Sequence, residues 1–452
     1  MIDKSIYTKP SLVAILGAGE SGVGAALLAK SKGLPVFVSD FGKIKEVYKN
    51  ELTENGIEFE EEGHNESKIL SADFVVKSPG IPEKAPIIKK IRDKKISIIS
   101  EIEWAAMFTK GTIVGITGSN GKTTTTSLTY HILQKAGYDV ALAGNIGKSL
   151  ARTISERDYP YYVVEISSFQ LDDILYFKPH ISIITNITED HLDRYNYDFK
   201  QYINAKLAIT TNQDSTDYCI YSQDDVVTNQ AIQAVKNTNC LPFSHDAEVE
   251  EGAFISDDQI VFILKKKQFN MPMREYALTG RHNYYNAMAA GIATKLLGVR
   301  NEVIRESLQD FKSLEHRMEY VLTIRGIEFI NDSKATNVNS AWFALESMNK
   351  DVIWIAGGKD KGNDYEELKE IVAQKVKAII CLGIDNEKLH KAFASEVGYI
   401  VDTQSMSEAV KMAYNLAGKG EVVLLSPACA SFDLFDNYED RGNQFKRAVR
   451  SL

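Results

Sequence analysis

Thr117, Gly118, Gly121, Lys122 and Thr123 stand in the order T-G-x-x-G-K-T, between a β-branched apolar run at 112–114 and helical periodicity over 127–133. A strand, a glycine turn, then a lysine and hydroxyls opening a helix is phosphate-binding geometry. The glycines let the backbone curl so that the N–H groups of Gly118, Ser119, Asn120 and Gly121 converge on an anion, and the helix N-terminus adds partial positive charge. From there Lys122 reaches toward the β- and γ-phosphates, and Thr123 or Thr124 offers a hydroxyl to Mg²⁺. The longer pattern G-x-x-x-x-G-K-[ST] is not met, because Ile116 stands where its first glycine would be. Strand, lysine and hydroxyl together still point to a nucleoside triphosphate.

Further groups of the right chemistry follow. The apolar run 161–164 ends in Glu165, and the run 181–184 leads to Asn186 and then to Thr188, Glu189, Asp190 and His191. In a parallel sheet these carboxyl ends lie beside the phosphate loop, so Glu165 and His191 are candidates for holding Mg²⁺. Each has a plainer use, as an acid complementing a helix dipole or as a polar residue at a helix start. Mg²⁺ prefers oxygen ligands, which makes His191 the less comfortable direct ligand. Lys206 alone reads as a solvated surface lysine. Asn283 and Asn286, three apart on one helical face, are positioned to bond a base or a phosphate-bound water, although capping would also explain Asn283.

The elements that must position these groups read as α/β throughout. The run 11–16 leads into Gly17, Gly19 and Gly22, a G-x-G-x-x-G match, and a second strand ends in Asp40. A dinucleotide, another nucleotide and a plain tight turn fit this stretch equally. Another strand ends in the loop Ser78, Pro79, Gly80, and 97–100 closes the first unit near Ser100. Val140 to Ala143 is a strand ending in the turn Gly144 to Gly147. Residues 212–269 carry no motif, and 261–267 reads as an exposed strand and its turn. Apolar runs at 352–356, 378–382 and 421–427, each followed by polar loops, predict a second doubly wound sheet. No fixed-period repeat appears, so the chain reads as three separately built units.

At 452 residues the chain exceeds one ordinary core, and its net charge of −9 with no Lys/Arg-rich block argues against a nucleic-acid partner. Cys219, Cys240, Cys381 and Cys429 are scattered, as reduced thiols would be. The first residues lack a leader's apolar stretch, and no apolar run approaches about 18 residues. A soluble, cytoplasmic protein with no membrane partner is expected.

The set of motifs is more specific than any member. Gly17 to Gly22, Thr117 to Thr123, Gly144-Asn145-Ile146-Gly147, Glu165 to Leu171, Thr188 to His191, His282-Asn283, Asn331 to Asn337, Ser426 to Asp433 and Arg441-Gly442 with Phe445 appear in this order. The chain thereby resembles the bacterial Mur ligases, over nearly its whole length and least at 212–269, and within them the D-glutamate-adding branch. The resemblance implies three domains: an N-terminal Rossmann-like domain for the UDP-substrate (1–100), a central P-loop ATP-binding α/β domain (101–313) and a C-terminal Rossmann-like α/β domain for the amino acid (314–452). It implies ATP-dependent amide formation between UDP-N-acetylmuramoyl-L-alanine and D-glutamate through an acyl phosphate, by a monomer, in cytoplasmic peptidoglycan precursor synthesis. Lys122, Glu165, His191 and Lys206 match its catalytic positions. Thr123, Glu165, His191 and a carbamylated Lys206 match its metal positions, with two Mg²⁺ sites. Gly118 to Thr124, Asn283, Arg317 and Asp332 match ATP contacts. Glu20, Ser21, Gly22, Asp40, Ser78, Gly80, Asn145 and His191 match the UDP-substrate side; beside Asp40, at Phe41-Gly42, a basic or hydroxyl residue would be looked for. Lys334, Thr336, Lys361, Ser431 and Tyr438 match D-glutamate contacts. Rival readings are a sister ligase or folylpolyglutamate synthase, an NAD-dependent oxidoreductase resting on Gly17 to Gly22, and a non-catalytic nucleotide sensor. The D-N-P-[AR] signature of the diamino-acid-adding sister is absent.

Overall fold

The computed structural model describes Tyr7 and residues 9–278, 280–312 and 314–452; residues 1–6, read above for a leader, and Ser313, the expected end of the central domain, lie outside the described residues. The chain packs as two compact units, Met1–Glu275 with Tyr285–Gln309, and Tyr276–Tyr284 with Asp310–Leu452.

Two sheets share the first unit. The strands β1 (Val13–Leu16), β2 (Val36–Ser39), β3 (Glu58–Glu60), β4 (Phe74–Lys77) and β5 (Ser97–Ser100) form a parallel sheet in the order β3-β2-β1-β4-β5. Both β1 and β4 are buried at every position, because helices cover both faces; this is why they read as unbroken apolar runs rather than alternations. The second sheet holds β6 (Thr112–Thr117), β7 (Val140–Gly144), β8 (Tyr161–Glu165), β9 (Ile181–Ile184), β10 (Tyr218–Ser222), β11 (Asn239–Ser244), β12 (Gly252–Ser256), β13 (Gln259–Leu264) and β14 (Lys267–Pro272). Its order is β14-β13-β12-β11-β10-β9-β6-β8-β7. Strand β6 lies between β8 and β9, so the loop leaving it emerges between the carboxyl ends of its neighbours, at a switch point where open α/β sheets bind ligands.

The reading of residues 261–267 as an exposed strand is corrected. In β13, Ile260, Val261, Phe262 and Leu264 are buried, while the turn at Lys265 and Lys266 and the first residue of β14, Lys267, face solvent. The strand pairs on both sides, antiparallel to β12 and β14, and Phe262 stacks on Phe269 at 4.5 Å. Gly291 of the helix Arg281–Leu296 covers it so closely that a Cβ there would lie 2.4 Å from the Phe262 ring.

The second unit holds β15 (Glu319–Ile324), β16 (Ile327–Asn331), β17 (Val352–Ala356), β18 (Val376–Leu382), β19 (Tyr399–Thr403) and β20 (Val422–Leu425), in the order β15-β16-β20-β17-β18-β19. Only β15 runs antiparallel. Adjacency of β16, β20 and β17 brings the polar loops after each of them to one end of the sheet. Among the described residues no helix is long and apolar enough to cross a membrane.

Candidate functional site

The turn after β6 is shaped by what surrounds it. Gly118 has φ +142°, and a Cβ there would lie 1.9 Å from Thr185 Oγ1, so neither the conformation nor the space admits another residue. Gly121 turns left-handed and precedes the helix Lys122–Lys135 with no side-chain cap, leaving the first helical amides to a ligand. The chain after β9 holds the turn from the side: Ser119 N donates to Asn186 O (2.9 Å), Asn120 N to Asn186 Oδ1 (2.9 Å) and Ser119 Oγ to Thr188 O (2.8 Å).

Two lysines converge on this turn. Lys122 Nζ donates to the carbonyls of Gly118 (2.8 Å) and Ser119 (2.7 Å), and Lys206 Nζ donates to the same Gly118 carbonyl at 2.6 Å. Lys206 is not the solvated lysine its surroundings in sequence suggested. It is buried in the helix Phe199–Leu207, with its nitrogen 4.5 Å from the Tyr202 ring centroid. Burial first, and the Lys122 charge second, hold its amine well below the usual lysine range.

Glu165 ends β8, opposite Ile116 of β6, and is buried. Its Oε1 accepts from Asn145 Nδ2 at 2.8 Å, while Asn145 N donates to the Glu165 carbonyl at 2.8 Å. Thr123 and Thr124 are buried in the first turn of the loop helix. The Thr123 hydroxyl and the Glu165 carboxylate are hard oxygen donors, which suit Mg²⁺; Lys206 as an amine does not. His191 is left-handed (φ +54°), 3.7 Å from Asp190 and edge-on to Phe169 at 5.1 Å. Asn286 is buried, as Asn283 is. Its Oδ1 accepts from Thr125 Oγ1 at 3.0 Å and lies where a Gly121 Cβ would meet it, so it props the loop helix from behind.

The first glycine turn is finished differently. Both Asp40 oxygens accept backbone amides, Oδ2 from Ala18 (2.7 Å) and Oδ1 from Gly42 (2.8 Å). Ser78 packs on Gly17, and in the helix Glu20–Ser31 a Cβ on Gly22 would lie 1.8 Å from the Gly17 carbonyl, with Ser21 beside it in the first turn. Glu20 accepts from Ser149 N (3.0 Å) and Arg152 Nε (2.8 Å), and Arg152 also pairs with Glu51 through Nη2 (3.0 Å). Phe41, rather than a basic or hydroxyl residue, stands exposed beside Asp40 with its ring 5.7 Å from His64. Arg194 donates to the carbonyls of Pro79 (2.7 Å), Gly80 (3.3 Å) and Ile81 (3.0 Å), fastening that loop to the segment of His191. Arg152 and Arg194 escaped sequence reasoning, since an arginine in an ordinary polar stretch carries no signal of its partners.

In the second unit Asp332 follows β16, accepting from Ser426 Oγ (2.9 Å) and Met318 N (3.2 Å), and burial pushes its carboxyl up to about 7. The buried Arg441 donates to Ser333 O (2.8 Å) and Cys429 O (3.1 Å), and Lys359 N donates to Ala430 O (2.8 Å). The three loops carrying Lys334 and Thr336, Lys361, and Ser431 are thereby joined. Lys334 Nζ stands 5.0 Å from the Tyr438 ring centroid, Ser431 is buried, and Thr336 and Lys361 are half-buried. Asn283 is buried, and beside it His282 falls to about 4 through burial, with the Arg317 charge contributing.

Three family models match the chain: a MurD N-terminal domain at residues 12–87, a Mur ligase middle domain at 116–294, and a Mur ligase, glutamate ligase domain at 316–429. The UDP-N-acetylmuramoylalanine–D-glutamate ligase of Christiangramia forsetii is 54% identical over 441 residues, 97% of this chain and 99% of that protein. The enzyme so named in Bacteroides fragilis is 53% identical over 442 residues, with 97% and 99% covered. A solved pseudomurein peptide ligase type C from Methanothermus fervidus aligns at TM-score 0.62 and 20% identity over 98% of this chain and 99% of its own, a likeness of fold. With matches reaching from the first sheet to the last, over a phosphate loop flanked by Lys122, Glu165 and Lys206, the chain belongs to the Mur ligase family.

Proposed function

We propose that the chain is an ATP-dependent, ADP-forming amide ligase that joins D-glutamate to UDP-N-acetylmuramoyl-L-alanine in peptidoglycan precursor synthesis. The observation that carries this reading is the convergence of Lys122 and Lys206 on the Gly118 carbonyl, in a chain more than half identical to ligases of that name. A carboxylate is a poor electrophile. Transfer of the γ-phosphoryl group to the alanyl carboxylate forms an acyl–oxygen–phosphorus link and releases ADP. The D-glutamate amine then attacks the acyl carbon and loses a proton, the C–O bond breaks, and phosphate leaves. Lys122 and the amides of Gly118 to Gly121 neutralise charge on the transferring group, which is where such catalysis is concentrated.

The residue roles extend the reading. Thr123 and Glu165 would hold Mg²⁺, which when bound neutralises phosphate charge. Asn145 orients Glu165, and His191 serves the same region from the substrate side. A neutral, buried Lys206 amine can attack CO₂, forming an N–C bond and releasing one proton; the resulting carbamate would supply oxygens for a second ion. Asn283, Arg317 and Asp332 would complete the ATP contacts. The loops around Glu20 to Gly22, Asp40, Ser78 and Gly80 take the UDP-substrate, and Lys334, Thr336, Lys361, Ser431 and Tyr438 take the two D-glutamate carboxylates. Roles divide at residues 100 and 313, and the enzyme works as a cytoplasmic monomer with no nucleic-acid or membrane partner.

The test is phosphate release from ATP with UDP-N-acetylmuramoyl-L-alanine, with and without D-glutamate, and with L-lysine or a glutamate-extended folate in its place. Release that needs D-glutamate is expected. Release that ignores it, or that needs L-lysine, moves the chain to another reaction.

A further inference from the structure

A group of side chains that the ligase reaction leaves unused meets at the outer edge of the third sheet. There β18, the helix Glu387–Phe393 and β19 form one parallel β-α-β unit, with Cys381 of β18 directly opposite Asp402 of β19. Opposed residues on neighbouring strands point to the same face. The crossover helix contributes His390. One ligand atom each from Cys381, His390 and Asp402 lies within 4.8 Å of the other two, and His390 Nε2 stands 2.9 and 3.0 Å from the Asp402 oxygens. The Cys381 thiol is buried, whereas His390 and Asp402 are partly open, since β19 is the last strand of its sheet. They open onto a cavity of about 570 Å³ whose wall includes Gly383, Asn386, His390, Asp402 and Gln404. Asn386 Nδ2 donates to Asp402 Oδ1 (3.0 Å) and to Gly383 O (3.2 Å). Its Oδ1 is buried with no hydrogen-bond partner among the described residues.

Each residue taken singly has an ordinary explanation: a core thiol, and an exposed ion pair. Their juxtaposition does not, because a thiol, an imidazole and a carboxylate are together the donor set of a borderline-soft divalent ion and are unsuited to Mg²⁺. We propose that this edge is a binding site for a zinc-class divalent ion, held by Cys381 Sγ, His390 Nε2 and an Asp402 oxygen. Asn386 acts as a positioning residue that orients the carboxylate, as outer-shell partners of metal ligands do. On binding, a metal–sulfur bond forms as the S–H bond breaks and the thiol proton leaves to solvent, together with any proton His390 shares with Asp402. The fourth position is left to water from the cavity.

The experiment titrates Co²⁺ into the full chain in excess Mg²⁺, so that oxygen-ligated sites are filled. A thiolate-to-cobalt charge-transfer band and the visible bands of a four-coordinate ion are expected, saturating at one equivalent and displaced by Zn²⁺. C381S should abolish the charge-transfer band, and H390Q should weaken Co²⁺ binding by about tenfold or more. Because C381S alters the core, D402N, at an exposed position, is the second variant and should weaken binding similarly. No charge-transfer band in the unaltered protein overturns the proposal, and so does a band that H390Q and D402N leave at full affinity.

Discussion

The two glycine turns of the first unit share a backbone plan and differ in what surrounds it. Each follows a buried parallel strand and opens a helix with no side-chain cap. At the first, acid closes the turn: Asp40 takes the amides of Ala18 and Gly42, and Glu20 is committed to Ser149 and Arg152. At the second, the Lys122 cation and the buried Lys206 amine press on a single carbonyl. A triphosphate is strongly anionic, and the turn that carries the Lys122 cation is the one suited to it. Glycine spacing describes the curl of the backbone; the ligand is decided by side chains that arrive from elsewhere in the chain.

Lys122→Ala is the strongest way to break this contrast. It should lower D-glutamate-dependent phosphate release on the order of 10⁴-fold, read by steady-state kinetics at saturating ATP; a loss below tenfold would remove the lysine from the reacting phosphate. Lys206→Ala should cost about 10³-fold, with part of the activity returned by added acetate or formate. A fully active variant would mean that the buried lysine serves only the fold.

Glu101 sharpens the acidic side of the comparison. It lies in the helix Glu101–Ala106, buried with Oε2 unpartnered among the described residues, and burial, with the Glu20 charge adding to it, pushes its carboxyl up to about 7 from 4.5. The folded protein therefore keeps a proton that the unfolded chain loses between these values. From this group, stability is highest below pH 4.5, falls as pH rises toward 7 and is level above, a change on the order of 3 kcal/mol. Glu101→Gln should flatten that slope in urea unfolding measured at pH 5 and pH 8, and equal slopes for the two proteins would contradict the burial argument. The smallest effect is expected from Asp40→Ala, which leaves two turn amides without their acceptor. It should destabilise the protein by about 1.5 kcal/mol while KM for ATP stays unchanged. A raised KM for ATP would mean the two turns are not separate sites.

Much of the site was legible because its chemistry is local. Gly118, Gly121 and Lys122 stand close together, and the strand that carries Glu165 is an apolar run that announces its own end. Lys206 was illegible for the opposite reason: its acceptor, the Gly118 carbonyl, lies 88 positions away in sequence. Asn286 misled because helical spacing puts it on a face with Asn283, while nothing in the spacing says that Thr125 will pack against it. Three consecutive lysines at 265–267 suggest exposure for the hairpin β13–β14, and all three are exposed; the preceding strand, ending at Leu264, is covered by the helix that begins at Arg281.

Arg194 gives the first unit a property neither turn has alone. One guanidinium spans the three carbonyls from Pro79 to Ile81 and sits three positions after His191. Whatever ligand stiffens that loop also stills the segment carrying the imidazole, so the second ligand to arrive meets a region whose freedom has already been spent. Linkage makes this mutual: a ligand held at that loop and one held at the imidazole should each bind more tightly in the other's presence, through a single side chain that need touch neither.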